Sequence, residues 1–113
     1  MSVNVTTRSA DGITLVRLDG EITSNSAPGV QDRILPLAGD TGRLLIDFTG
    51  VPYVSSAGLR MLLLLYRRAQ AADAKIVLVG LSEEVRFVMS ATGFLDFFEI
   101  GDDAETAMGG VRP

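Results

Sequence analysis

The sequence predicts an α/β domain built on a mixed, mostly parallel sheet of four to five strands carrying amphipathic helices. Three observations predict it: alternating apolar positions on either side of Asp11-Gly12, short apolar runs at Leu44-Leu45-Ile46 and Ile76-Val77-Leu78-Val79, and helical periodicity between them. Apolar runs too short for helices and flanked by turn residues fit strands buried on both faces, which is the habit of parallel sheets. Strands alternating with helices after an opening hairpin give the order ββαβαβαβα with right-handed crossovers.

Val3, Val5 and Thr7 alternate with polar neighbours, Asp11-Gly12 supplies a two-residue turn, and Ile13, Val16 and Leu18 resume the extended pattern, so the chain opens with a β-hairpin. Asp19-Gly20 breaks the second strand. Thr23, Ser24 and Asn25 are candidate caps and Pro28 is tolerated in a first turn, which predicts a helix over 26–37 whose ends Gly29 and Pro36 loosen. Residues 43–48 read as a central strand closed by Thr49-Gly50-Val51-Pro52. A helix over 57–72 follows, with Leu59, Leu62, Leu63, Tyr66 and Ala69 at sheet-facing spacing and Arg60, Arg67 and Arg68 mostly elsewhere. Residues 75–79 are the next buried strand. Ser82 caps a third helix to about residue 91, with Glu83 and Glu84 in the first turn where the helix dipole favours them, and Gly93 suits its stop. A short last strand within 94–100, a final helix over 102–108 and a loose tail from about residue 109 complete the reading.

A length of 113 residues fits one domain spanning 1–113, and 47% hydrophobic content with 6% aromatic supplies a core of Leu, Val, Ile and Ala. The chain has no His and no Cys, the side chains most used as bases, nucleophiles and soft metal ligands, so neither an autonomous enzyme nor a metal site is expected. The sole lysine, Lys75, opens a strand, and no glycine-rich loop with a phosphate-binding lysine is present, which argues against an ATP site. A net charge of -4 argues against nucleic acid as a partner. The polar start Met1-Ser2-Val3-Asn4 shows no charged-then-apolar signal segment, and the apolar run at 61–66 is about a third of a membrane span, so a cytoplasmic protein without direct membrane insertion is expected.

The junction Val51-Pro52-Tyr53-Val54-Ser55-Ser56-Ala57-Gly58-Leu59-Arg60 places two hydroxyls and a glycine where a strand passes into a helix. Unpaired N–H groups and the positive dipole end there favour an anion, and a serine beside glycine is sterically open, so a phosphoryl group could be added and removed. Ser55 and Ser56 each read either as the helix cap or as the acceptor of that group. Gly58 either lets a partner backbone approach or packs tightly on the sheet. Loops leaving neighbouring parallel strands lie together, so Glu21, Thr23 and Asn25 are expected beside Ser55, Ser56, Gly58 and Arg60 in one partner-binding patch. Arg60, one turn into the helix, can reach a partner carboxylate bidentately, and Glu21 and Arg60 are otherwise solvated charges. Of the Leu62–Leu65 run, Leu64 or Leu65 is the candidate for exposure and docking.

So placed, the junction resembles that of the STAS family, the domains shared by sulfate transporters and anti-sigma factor antagonists. The family's central pattern is an aspartate or asparagine at a strand end, an aromatic-apolar pair, an aspartate, two hydroxyl residues, glycine and leucine. Here it reads Asp47-Phe48-Thr49-Gly50-Val51-Pro52-Tyr53-Val54-Ser55-Ser56-Ala57-Gly58-Leu59. Leu18-Asp19-Gly20-Glu21-Ile22-Thr23 is similar to the family's Gly-x-apolar-Asp turn, with Thr23 in place of the acid, and Met89-Ser90-Ala91-Thr92-Gly93-Phe94-Leu95 is similar to its helix-ending turn. The resemblance runs over residues 3–100 and implies a STAS fold.

For a small, single-domain member the resemblance implies an anti-sigma factor antagonist, a non-catalytic phosphoprotein that works by partner switching in transcription regulation. By position Ser56 is the residue phosphorylated by a serine-kinase anti-sigma factor of histidine-kinase-like ATPase fold, and a metal-dependent serine phosphatase resets it. ATP and magnesium belong to the kinase, so no cofactor is implied for this chain. Ser55 stands where the family usually has aspartate and Ala57 where it has a second hydroxyl; with Thr23 these changes remove acidic groups expected near the acceptor. The alternative the family offers is a structural STAS subunit of a membrane lipid or anion transporter, without phosphorylation.

Overall fold

The computed structural model describes residues 3–39 and 42–101. The hairpin forms as expected: β1 (Asn4–Ala10) and β2 (Ile13–Asp19) pair antiparallel, from Ala10 opposite Ile13 to Asn4 opposite Asp19. Asp11 and Gly12 both take positive φ, 51° and 80°, the backbone that lets a two-residue turn match the strand twist. From β2 onward the sheet grows in one direction. The strands β3 (Arg43–Gly50), β4 (Lys75–Val79) and β5 (Glu99–Gly101) each lie parallel to the one before, giving the spatial order β1-β2-β3-β4-β5.

Helices α1 (Ala27–Ile34), α2 (Ser56–Ala71) and α3 (Glu83–Ala91) occupy the crossovers. Side chains alternate along each strand, and one face presents Val16, Leu18, Leu44, Ile46, Phe48, Ile76 and Leu78 to the buried residues of all three helices in one core. The opposite face holds a smaller cluster of Ile13, Leu45, Val77 and Val79, with Leu15 against it. Among the described residues no helix is long and apolar enough to cross a membrane.

Local chemistry moves several boundaries. The first helix ends at Ile34 rather than residue 37, and the chain continues as a 3-10 turn, Leu35–Gly39, because Pro36 has no N–H to donate back along an α-helix. The third strand runs on to Gly50, which pairs with Asp19. Leu63 is only half-buried, while Met61 and Leu65 join Leu59, Leu62 and Ala69 on the buried face of α2. The segment read as a last strand is first a 3-10 turn, Phe94–Phe97, entered through Gly93 at φ 82°. Its aromatics pack on α2, with the Tyr66 and Phe97 rings 5.2 Å apart and Tyr66 and Phe98 5.8 Å apart, which leaves only Glu99–Gly101 for β5. The expected helix over 102–108 and the tail beyond it lie outside the described residues.

Leu64 is 41% exposed and Leu65 fully buried, so the two adjacent leucines separate the helix register cleanly. Leu65→Ala is expected to lower stability by about 2–5 kcal/mol, and Leu64→Ala to stay within about 0.5 kcal/mol of the parent. Urea unfolding monitored by circular dichroism measures both, and equal losses would mean a rotated α2.

Candidate functional site

The site is made where two loops leave adjacent parallel strands and become one short ladder. The Gly20 amide donates to the Gly50 carbonyl at 2.9 Å, the Ile22 amide to the Tyr53 carbonyl at 3.0 Å, and the Ser55 amide to the Ile22 carbonyl at 2.8 Å. Ile22 and Val54 thereby form an isolated parallel bridge, with both side chains buried. Glu21 and Thr23, which flank Ile22, are therefore held next to the segment that ends at Ser55 by backbone hydrogen bonds; the pairing itself has no periodic pattern that would reveal it in sequence.

Glycines allow the close approach. A Cβ on Gly50 would run into the Asp19 carboxylate, and a Cβ on Gly58 would lie 2.6 Å from Val54 Cγ1 and 2.8 Å from Ile22 Cγ2. The first turn of α2 thus rests directly on the Ile22–Val54 bridge. Gly58 is buried, and the space a side chain would need is filled by Ile22 and Val54, which supports the tight-packing reading.

The two serines divide the work of the junction. Ser55, extended at φ -81° and ψ 176°, is the N-cap of α2: its Oγ accepts from the Gly58 amide at 3.4 Å and its carbonyl from the Leu59 amide at 2.9 Å. Ser56 is the first helical residue and is exposed, and its hydroxyl has no partner among the described residues. Capping is taken by the neighbour, which leaves Ser56 Oγ free for an incoming group. Neither α2 nor its first turn holds an acid, so nothing on the helix opposes an anion at its positive end.

Around it, Glu21 and Asn25 are exposed and Thr23 is half-buried. Thr23 Oγ1 accepts from the Asn25 amide at 3.2 Å, while buried Ser26 donates to the Glu21 carbonyl at 2.8 Å and accepts from the Thr23 amide at 2.9 Å. These bonds fix the loop before α1 without using the side chains of Glu21 or Asn25. Ser26 thus braces the loop rather than capping its helix. Arg60 is exposed one turn beyond Ser56. Tyr53, 48% exposed in the same loop, adds an aromatic that sequence reading did not single out; its place beside the bridge is visible only in three dimensions.

Beneath the patch a buried carboxylate ties the strand ends. Asp47, 2% exposed, accepts through Oδ1 from the Thr49 amide at 2.9 Å and the Thr49 hydroxyl at 2.6 Å, and through Oδ2 from Arg17 at 3.2 and 3.3 Å. Burial pushes its pKa up, but the Thr49 hydroxyl, the Thr49 amide and the Arg17 guanidinium outweigh burial and hold it below its ordinary 3.8. Gly80, at φ 70° after β4, closes over this group: a Cβ there would strike Thr49 Oγ1 and lie 3.0 Å from Asp47 Oδ1. The strand-end aspartate is thus a structural brace. Among the described residues no cluster of His, Cys, Asp or Glu could hold a metal ion.

Comparison with known proteins agrees with this geometry. A family model described as STAS domain matches residues 4–107. The chain is 31% identical over 99 residues to BtrV of Bordetella bronchiseptica, covering 86% of this chain and 84% of that protein. It is 29% identical over 112 residues to the anti-sigma-B factor antagonist of Bacillus subtilis, covering 99% and 100%. Among solved structures it superposes on the Bacillus cell fate determinant SpoIIAA in its phosphorylated form with a TM-score of 0.74 at 19% identity, over 96% and 100% of the two chains.

Two stability measurements test the site's construction. Gly58→Val is expected to cost about 2 kcal/mol by prising α2 from the bridge. Asp47→Ala is expected to cost about 2 kcal/mol at neutral pH through unsatisfied partners of the carboxylate. Because the Asp47 pKa is lower in the folded chain than unfolded, its contribution is present above about pH 4 and fades as pH falls through the folded value. Parent and Asp47→Ala melting curves should therefore converge in acid, and a constant gap down to pH 2 would show that the charge plays no part.

Proposed function

This chain belongs to the STAS domain family, and from that footing we propose that it is an anti-sigma factor antagonist controlled by phosphorylation on Ser56. The observation that carries the reading is the free, exposed Ser56 hydroxyl at the first position of α2, with Ser55 providing the cap. Relatives that it matches over nearly their full length, one of them named an anti-sigma-B factor antagonist, favour this switch over a structural transporter subunit.

The chain is substrate and inhibitor in turn. Unphosphorylated, it docks on a serine-kinase anti-sigma factor through Glu21, Thr23, Asn25, Ser55, Ser56 and Arg60 and sequesters it. The kinase, which supplies ATP and magnesium, directs Ser56 Oγ onto the γ-phosphorus. The new O–P bond forms as the bond to the β–γ bridging oxygen breaks, ADP leaves, and the serine proton passes to a base on the kinase. A metal-dependent serine phosphatase reverses the modification by hydrolysis.

Phosphoserine adds about -1.5 to -2 charges, which a helix N-terminus tolerates, so the fold survives and release comes from the interface. A thousandfold loss of affinity needs about 4 kcal/mol, within what desolvating a dianion or opposing it with partner carboxylates supplies. No refolding is required.

Intact-mass spectrometry after incubation with ATP and each serine-kinase anti-sigma factor of the source genome tests this. The parent and Ser55→Ala should gain one phosphoryl group and Ser56→Ala none; the reverse pattern would move the acceptor to Ser55. Ser56→Asp should weaken kinase binding while its melting temperature stays within a few degrees. Unchanged affinity in a titration would count against charge-driven release.

A further inference from the structure

The exposed face of α2 carries more than the phosphoacceptor. Ser56, Arg60, Leu64, Arg67, Arg68 and Ala71 are all exposed, and their spacing of three and four residues aligns them in one stripe along the helix. At 1.5 Å per residue the stripe runs about 16 Å from Ser56 to Arg67. The helix holds three of the chain's ten basic residues and none of its fourteen acidic ones. Among the described residues none of the three guanidiniums has an ion-pair or hydrogen-bond partner. Leu64, 41% exposed between them, is an apolar contact framed by positive charge.

Resting on the reading of Ser56 as a switch, we infer that this stripe is the second half of the kinase-docking surface and receives an acidic ridge, an apolar residue flanked by carboxylates, on the kinase. Charge complementarity selects that occupant. An otherwise acidic chain presents one helix with positive charge only, and the helix begins at the phosphoacceptor, so the stripe continues directly from the loop patch. Arginine pairs carboxylates bidentately, and Leu64 supplies the desolvated centre that a purely ionic contact lacks. Phosphorylation acts on the same stripe: a dianion on Ser56 lies one turn from Arg60, engages it, and turns the head of the stripe negative towards an acidic ridge.

The full chain, as parent, Ser56→Asp, Arg67→Glu/Arg68→Glu and Leu64→Asp, is titrated against each purified serine-kinase anti-sigma factor of the source genome at low and high ionic strength. The double charge reversal should slow association about tenfold at low salt, with the gap narrowing at high salt. Leu64→Asp should speed dissociation about tenfold. All of these positions are exposed, so circular dichroism should show parent-like melting, and a variant that melts early is replaced by its alanine counterpart. A photo-crosslinker in place of Leu64 should capture a kinase peptide containing Asp or Glu. If Ser56→Asp weakens binding while both stripe variants bind like the parent, the stripe falls and the switch stands. If the parent binds no kinase, the switch falls and takes the stripe with it. Crosslinking to a second copy of this chain, or retention of duplex DNA or anionic vesicles through Arg67 and Arg68 in place of the kinase, would also overturn the assignment.

Discussion

The bridge between Ile22 and Val54 is the constraint on which the functional end of this molecule depends. Two loops that leave adjacent strands would otherwise be free to splay. Three amide-to-carbonyl bonds, Gly20 to Gly50, Ile22 to Tyr53 and Ser55 to Ile22, make them a continuation of the sheet. The bridge also sets the height of α2, because Gly58 lets the helix sit on Ile22 and Val54 at contact distances no other residue allows. The position of Ser56 follows from that seat: the helix cannot rise, so its first residue stays at the rim and faces outward. A loop patch and a helix face thus become one surface by backbone bonding, with their side chains left available.

The brace beneath acts by a different balance. Burying Asp47 costs solvation, and the ion pair with Arg17 returns little, since Arg17 is 61% exposed and its attraction is screened. The Thr49 amide and hydroxyl do more, being short-range donors to a buried charge. Their geometry in turn requires Gly80, whose positive φ and missing side chain leave room for the Asp47–Thr49 pair. Arg17 on β2 and Gly80 after β4 thus both meet the Asp47–Thr49 pair near the end of β3.

Much of this was legible in the sequence where one local rule decided the outcome. Asp11-Gly12 fixed its turn, the Leu44–Ile46 and Ile76–Val79 runs marked buried strands, and Ser82 with Glu83 and Glu84 marked a helix start. Ser55, read as a cap, takes that role through an extended backbone and an Oγ that accepts from the Gly58 amide. Reading failed where the determinant was distant. Leu63 looked like core by spacing, but the seat of Gly58 on the bridge turns Met61 and Leu65 inward instead. Phe94 to Phe98 has strand composition, and Tyr66 on a different element draws it into a 3-10 turn.

The acid missing from the central pattern at Ser55 bears on how charge is distributed around Ser56. With Ser55 in place of aspartate and Ala57 in place of a hydroxyl, the first turn of α2 carries no negative charge before phosphorylation. Its field is the helix dipole plus Arg60, both positive. On the proposed reading, a phosphoryl group on Ser56 would place negative charge on a helix turn that carries none of its own. Ser55 still caps the helix, as an aspartate would: its hydroxyl accepts from the Gly58 amide and leaves Ser56 unengaged. The departure therefore changes the charge at the N-terminus of α2 while the cap is kept.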